Sequence, residues 1–298
     1  MKWDGNRESD NVEDRRGDSG GGGGGGGFGF GGRSVGIGTI AVALLASYFF
    51  GINPMTVISL LSGGGVGDGN ITQSQQAPAK GPPANDAATR FVRVVLADTE
   101  DVWTAQFRAE GGNYVKPKLV IFSGQTSTRC GQGESATGPF YCPADQKIYI
   151  DLSFYKLMRE RFKVEGEFAQ AYVIAHEVGH HVQNLMGISG KVDTARRNAT
   201  QTRANALSVR MELQADCFAG VWAFHANEAR AILESGDVET ALSAATAIGD
   251  DALQRQSQGQ VVPDSFTHGT SAQRVRWFKR GIATGLVTDC DTFKARQL

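Results

Sequence analysis

Three of the five histidines fall within six positions, and two of them have the spacing of a zinc-binding motif. The stretch "AHEVGHHVQ" begins at Ala175 and sets His176, Glu177 and His180 in the pattern H-E-x-x-H. Side chains four residues apart share one face of an α-helix, so both histidines can bind one metal ion. Glu177 can then face a water molecule at that ion, whereas His181 is turned away and is expected to contact a neighbouring helix or solvent. The motif predicts a catalytic Zn²⁺ site with Glu177 as general base.

A catalytic zinc ion needs a third protein ligand and an open position for water. Downstream, "RMELQADCFAGVWAFH" carries Glu212 and Asp216 four residues apart in a helical pattern. Glu212 is the predicted third ligand, and Asp216 is expected to hold a ligand imidazole. A solvated acidic helix face is the alternative. The apolar run after Asp216 favours a buried helix instead, in which unpaired carboxylates would be unfavourable. His225 lies on another face and is expected to be structural.

These motifs carry a family resemblance. "HEVGHHVQ" with "ELQADCFAG" resembles the glutamate-zincin metallopeptidases. "NVEDRRG", the glycine run, "GPFYCPADQKIYIDLSF" and "HGTSAQRVRWF" are similar to the bacterial family of putative neutral zinc metallopeptidases. The resemblance implies a membrane-anchored, zinc-dependent peptidase acting on a peptide or protein substrate. It also implies that His268 donates a hydrogen bond to the developing oxyanion and that Arg274 orients that segment. A surface-loop role for His268 is the alternative.

The first third of the chain differs in composition from the rest. We expect a disordered, glycine-rich tail over 1–33, a transmembrane anchor region over 34–61, a flexible linker over 62–88 and a metallopeptidase domain over 89–298. A buried helix or a cleaved signal peptide are the alternatives for the apolar stretch. Five basic residues precede the apolar stretch, and the first basic residue after it is Lys80. The positive-inside rule therefore predicts a single-pass protein of the cytoplasmic (inner) membrane, with a cytoplasmic N-terminus and a periplasmic or other extracytoplasmic domain. The basic residues counted are Lys2, Arg7, Arg15, Arg16 and Arg33.

Within the predicted domain, helical and strand-like patterns are both present. "RFVRVVLADTEDVWTAQF" has helical spacing, "KPKLVIFS" and "GPFYCPADQKIYIDL" are typical of strands, and the pattern is mostly helical from Leu152. This predicts an α+β fold, a mostly helical zincin-like domain with a small antiparallel sheet. The alternation of Ile148, Tyr149 and Ile150 suits a half-exposed strand. Such a strand is either an ordinary hairpin or an edge that pairs with an extended substrate.

The four cysteines form no CxxC pair, which argues against a thiolate zinc site. Their even number suits disulfides outside the cytoplasm. A pairing of Cys130 with Cys142 and of Cys217 with Cys290 is one of three possibilities, and spacing does not choose among them.

The formal net charge of −1 gives no general attraction to nucleic acid, and no protein partner is indicated. Three functions remain open for the site. The first is a zinc peptidase, the second a catalytically silent zinc-binding scaffold or assembly factor at the membrane, and the third a zinc amidase acting on cell-wall peptides. Glu177 argues against the scaffold, because a structural zinc site needs no base at that position.

Overall fold

Helices dominate the part of the chain that a computed structural model describes, residues 1–17, 86–135, 138–258 and 260–298. The predicted α+β class is confirmed, as are the two Val/Ile-rich strands and the mostly helical pattern after Leu152. Short 3₁₀ turns lie at Pro263–Ser265 and Val287–Cys290. In chain order the elements are β1 (Val12–Asp14), α1 (Ala87–Ala109), β2 (Lys118–Phe122), β3 (Gln125–Thr128), β4 (Gly131–Glu134), β5 (Phe140–Cys142), β6 (Lys147–Asp151), α2 (Ser153–Glu160), α3 (Glu167–Leu185), α4 (Ile188–Arg197), α5 (Gln201–Arg230), α6 (Asp237–Ala247), α7 (Asp250–Gln258) and α8 (Ser271–Thr284).

The main sheet is mostly parallel, which corrects the predicted small antiparallel sheet. Its order is β1-β2-β6-β5, with β1 and β6 both parallel to β2 and only β5 antiparallel to β6. The reason lies between β2 and β6. A separate β3–β4 hairpin and then β5 reverse the chain, so β6 returns in the direction of β2.

Strand β6 is buried on both faces, so the expected half-exposed strand is wrong. Ile148 and Ile150 face the helical core, and Tyr149 stacks on Phe140 with ring centroids 5.0 Å apart. The β3–β4 hairpin covers that second face, where Gly133 lies against the Phe140 ring. Strand β6 is therefore interior, and β5 and β1 are the two edge strands of the sheet.

The tail expected to be disordered is folded over residues 1–17. β1 pairs in register with β2, Val12 opposite Leu119 and Asp14 opposite Ile121. These residues form one compact unit with the C-terminal part of the chain. The low hydrophobicity of the segment prevents it from building its own core, but its backbone and its charges are satisfied on a neighbouring surface.

The expected anchor region at 34–61, the rest of the tail and nearly all of the linker lie outside the described residues. Helix α1 begins at Ala87, where the Asp86 side chain accepts a hydrogen bond from the Thr89 amide at 2.9 Å. Among the described helices, none combines the length and the apolar character that a membrane crossing requires.

Helix α5 packs closely against both α3 and α8. A Cβ atom on Gly281 of α8 would overlap the carbonyl oxygen of Cys217 on α5, and one on Gly220 of α5 would overlap that of Phe278 on α8. A disulfide between Cys217 and Cys290 ties α5 to the chain that follows α8. These contacts fix α5 relative to α8.

Candidate metal centre

Helix α3 carries the H-E-x-x-H motif and ends two residues before a glycine. It runs to Leu185, and Gly187 follows with a left-handed φ of +70°. Gly179, inside the motif, faces α5, since an added Cβ would lie 3.0 Å from the carbonyl oxygen of Ala215. The absence of a side chain at Gly179 lets α5 approach the histidines.

His176, His180 and Glu212 converge on one point. Their candidate ligand atoms all lie within 4.8 Å of one another. The Nε2 atoms of His176 and His180 are 3.2 and 3.5 Å from the Glu212 carboxylate oxygens. Ligands about 2.1 Å from a tetrahedral zinc ion stand about 3.4 Å apart, so these three residues fit Zn²⁺ as a His₂Glu set.

The other nitrogen of each histidine is engaged by a polar side chain. His176 Nδ1 lies 2.9 Å from Asp216 Oδ1, and His180 Nδ1 lies 2.9 Å from Gln183 Oε1. The Gln183 amide in turn donates to the carbonyl oxygen of Met211, one residue before Glu212. Such partners fix the imidazole tautomer and turn Nε2 toward a metal.

Asp216 is itself held by residues that the sequence pattern did not connect to it. Arg274 donates to both of its oxygens at 2.9 Å, and the Tyr172 hydroxyl donates to Oδ1 at 2.5 Å. Arg274 was expected to orient the segment around His268. Its guanidinium forms a fully buried ion pair with Asp216. The two hydrogen bonds make the planar two-point contact that is typical of an arginine with a carboxylate.

The electrostatics of the centre favour a cation. Burial alone would lower the pKa of His176, but the carboxylates of Asp216 and Glu212 outweigh it and raise the pKa to about 10. Burial would raise the pKa of Asp216, yet Arg274 and His176 bring it down to about 2. Likewise the two histidines hold the pKa of Glu212 well below its usual value despite burial.

Glu177 lies beside this set on the same helix and is buried. Burial raises the pKa of Glu177, and the nearby His180 and His176 offset this only in part. A carboxylate with a raised pKa is suited to exchanging protons near neutrality.

His268 stands half-exposed at the start of α8, close to the turn of α5 that bears Glu212. An added Cβ on its neighbour Gly269 would lie 3.2 Å from Val209 and 3.3 Å from Leu213. His268 Nδ1 is 3.2 Å from Asp250 Oδ1, and this hydrogen bond raises the pKa of His268. Asp250 Oδ2 also accepts the backbone amides of 267–269.

The remaining histidines have structural partners. His181 is fully buried, with Nε2 2.6 Å from the Val115 carbonyl oxygen and Nδ1 3.0 Å from the Tyr141 hydroxyl. It thus contacts β5 and the chain before β2, where a neighbouring helix or solvent was expected. His225 Nε2 lies 2.9 Å from the carbonyl oxygen of Gly285, just after α8.

The four cysteines form two disulfides. Cys130 is joined to Cys142, which ties the β3–β4 hairpin to the edge strand β5. Cys217 is joined to Cys290.

Two imidazoles and a carboxylate on crossing helices, with a second carboxylate alongside, define a candidate metal centre of the kind found in metallohydrolases. Comparison of the whole chain with known protein families narrows the class of protein. The chain belongs to the family described as "Putative neutral zinc metallopeptidase", whose model matches residues 1–293.

Relatives span most of the chain. It is 54% identical over 293 residues to "Uncharacterized protein YpfJ" of Escherichia coli strain K12, covering 98% of this chain and 99% of that protein. It is 41% identical over 221 residues to "Uncharacterized protein Mb2605" of Mycobacterium bovis, covering 71% of this chain and 74% of that protein. No solved structure matches the chain.

Proposed function

We propose that the protein is a zinc-dependent metallopeptidase that hydrolyses peptide bonds. The convergence of His176, His180 and Glu212 on one point, with Glu177 beside them, is the observation that carries the proposal. The family supports it. The His180 and Glu212 side chains retain 17% and 19% exposure, which leaves the centre open to water and substrate.

Each residue has a distinct task in this proposal. A bound zinc ion would supply Lewis acidity toward the scissile carbonyl and lower the pKa of water. His176, His180 and Glu212 hold the ion, while Asp216 and Gln183 keep the two imidazoles in the binding tautomer. Glu177 takes the proton of the attacking water and passes it to the leaving amine.

His268 is the proposed donor to the oxygen that gains charge in the transition state. Asp250 engages Nδ1, so Nε2 is the nitrogen proposed to donate. The Asp250 carboxylate favours the protonated imidazole, which has a donor on both nitrogens.

An extended peptide is the substrate form that the sheet favours. β5 has one neighbour in the described sheet and packs beside α3. Backbone pairing along the free side of Phe140–Cys142 would lay a peptide next to the metal-binding helix.

The test compares zinc content and proteolysis in Glu177→Gln and wild type. Glu177→Gln keeps the size of the side chain but cannot accept a proton. We expect it to retain one zinc ion per chain while hydrolysis of a casein-like substrate falls by ~10² or more. Glu167→Gln, on the exposed first turn of the same helix, is the matched control and should leave both unchanged.

Two further variants separate the roles. His176→Ala should lose most of the zinc, whereas His268→Ala should keep the zinc and lose roughly 10²-fold in turnover. Unchanged proteolysis in Glu177→Gln would contradict the hydrolytic mechanism and favour the scaffold. Hydrolysis of cell-wall peptides but not of casein would favour the amidase.

A further inference from the structure

Residues 1–17, here called the N-terminal segment, contact the body of the protein along their whole length. At the beginning, the Met1 amino group lies 3.0 Å from Glu234 Oε2 and 3.2 Å from Asp237 Oδ2. The Lys2 amide donates to the carbonyl oxygen of Ile232 at 2.8 Å. The first residues are thus attached to chain that lies more than 200 positions away.

The middle of the N-terminal segment surrounds a buried carboxylate. Glu100 of α1 is 1% exposed and accepts from Ser9 Oγ at 2.5 Å, Asn11 Nδ2 at 2.7 Å and Arg7 Nη2 at 3.1 Å. Among the described residues, the one ionic or hydrogen-bonding partner of the Glu100 side chain outside the segment is Lys116, at 3.4 Å. Removing the segment would leave a buried charge with most of its partners missing, which is strongly unfavourable.

The end of the N-terminal segment meets the beginning of α1. Strand β1 adds to the edge of the sheet, and Arg16 Nη2 then lies 2.9 Å from Asp86 Oδ2 and 2.7 Å from Thr89 Oγ1. Arg16 and Asp86, near the two ends of the stretch that the structure does not describe, are therefore in contact.

Two of the five basic residues counted for the expected anchor, Arg7 and Arg16, hold the segment in place. Arg7 pairs with Glu100 and Asp101, and Arg16 pairs with Asp14 and Asp86. Arg7 and Arg16 therefore have partners on the folded body, besides their place in the charge count before the expected anchor.

We propose that the N-terminal segment and the domain with the metal centre lie in the same compartment, as one folded body. A single membrane crossing between residues 18 and 85 would place β1 and β2 on opposite sides of the bilayer. The number of crossings between them is therefore even, zero included. Two complete helical crossings need about 40 apolar residues, more than the uncharged run between Arg33 and Asp68 provides.

The compartment can be tested with thiol labelling of the full chain in cells. Asp10→Cys places a thiol on the exposed part of the segment, and Lys156→Cys places one on the exposed helix α2. A membrane-impermeant maleimide is added before and after permeabilisation, with wild type setting the background from the native cysteines. Equal fractions labelled before permeabilisation at both positions, high or low, would support the proposal. Labelling of one position before and the other only after would overturn it. Asn6→Cys with Glu160→Cys gives a second pair if either variant fails to accumulate.

Docking can be tested independently on the purified full chain by trypsin cleavage after Arg7. Glu100→Ala removes the shared acceptor and should speed this cleavage by about tenfold or more, because it opens the segment. Glu110→Ala, on the exposed end of the same helix, is the matched control and should not. Arg7→Lys keeps the trypsin site and the charge but loses the forked contact, and serves if Glu100→Ala does not fold. Wild-type cleavage as fast as in these variants would show an undocked segment and overturn the proposal. Neither experiment depends on zinc or on hydrolysis.

Discussion

Asp216 shows how strongly the candidate centre depends on side chains that do not reach the metal position. It is fully buried, and its two oxygens accept hydrogen bonds from His176, Tyr172 and Arg274. A buried carboxylate with this many donors stays ionised, and its charge then orients the imidazole. The zinc affinity of the centre should be set in part by this one residue.

Asp216→Asn should therefore weaken zinc binding by ~10 to 100-fold, the usual scale for partners of a ligating histidine. The amide keeps the volume but removes the charge that holds the His176 tautomer and pairs with Arg274. Competition with a chelating dye measures the affinity. Glu228→Gln, exposed on the same helix, is the control and should bind zinc like wild type. Equal affinities for Asp216→Asn and wild type would mean that the His176–Asp216 contact does not orient the ligand.

Whether a site residue could be predicted depends on how far along the chain its partner lies. His176 and His180 follow from helix periodicity, and Glu212 with Asp216 from the same periodicity in one further helix. Tyr172 lies on the motif helix, but its role depends on Asp216, 44 positions away. Arg274 reaches Asp216 across 58 positions. No local pattern encodes such contacts, because the crossing of α3, α5 and α8 creates them.

At the scale of elements, this crossing is set by glycines. Gly281 and Gly220 let α8 and α5 approach until backbone meets backbone. Since α5 carries Glu212 and α8 carries Arg274, the spacing of the helices also sets the spacing of the site.

Gly281→Ala should destabilise the fold by roughly 1–3 kcal/mol or more, because the new methyl group overlaps the Cys217 carbonyl and the helices must separate. Thermal unfolding followed by circular dichroism measures the effect as a lower Tm. Gly190→Ala, on α4, is the matched control. An added Cβ there has no neighbour within 4 Å, so alanine should stabilise the helix by ~0.5–1 kcal/mol. A Tm for Gly281→Ala at or above that of wild type would contradict the close crossing.

The docking of the N-terminal segment has its own pH window. Burial would lower the pKa of the Met1 amino group, but Glu234 and Asp237 outweigh it and raise the pKa above its ordinary 8.0. That contribution is complete below pH 8.0 and is lost as the pH rises through the raised value. Burial would raise the pKa of Glu100, but its hydrogen bonds to the segment lower it below its ordinary 4.5. That contribution is complete above pH 4.5 and is lost as the pH falls.

Docking should therefore be strongest between about pH 4.5 and 8 and weaken on both sides. Hydrogen exchange of the peptide covering the segment, corrected for the intrinsic rate at each pH, measures this. The buried peptide of α5 around Trp222 serves as the internal reference. Protection of the segment that stays constant from pH 3 to 10 would contradict the assigned partners.

The segment also shows where sequence reasoning about elements fails. Low hydrophobicity indicates that a stretch cannot form a core of its own, and residues 1–17 do not. This criterion does not detect a strand that forms by pairing with a strand elsewhere in the chain. Val12–Asp14 pair in this way with Leu119–Ile121. Strands β2 and β6 were predicted correctly because their own Val and Ile residues enter the core.

At the scale of the whole molecule, two residues far apart in sequence bring the end of the described N-terminal segment and the beginning of α1 together. Arg16 and Asp86 are in contact, although 69 positions of sequence lie between them. Replacing residues 18–85 with a ten-residue Gly/Ser linker should therefore leave the fold intact. The shorter loop should even favour docking by about 1–2 kcal/mol.

We expect this shortened chain to bind one zinc ion and to unfold no earlier than the full chain. A chain lacking residues 1–85 is the comparison. It uncovers the β2 edge and leaves Glu100 without Arg7, Ser9 and Asn11, so its Tm should fall by several degrees. Equal Tm values for the two shortened chains would show that the segment adds nothing to the body.

The contact of Met1 with Glu234 and Asp237 also imposes an order in time. A ribosome adds about 5–20 residues per second, so roughly 10–50 s separate the synthesis of the first residue from that of its partners. Strand β2, which pairs with β1, is made roughly 5–20 s after β1 at the same rate, so the uncharged run after Arg33 is made before β1 has its partner. Strand β1 is translated before the strand it pairs with, so its pairing has to wait for a later part of the chain.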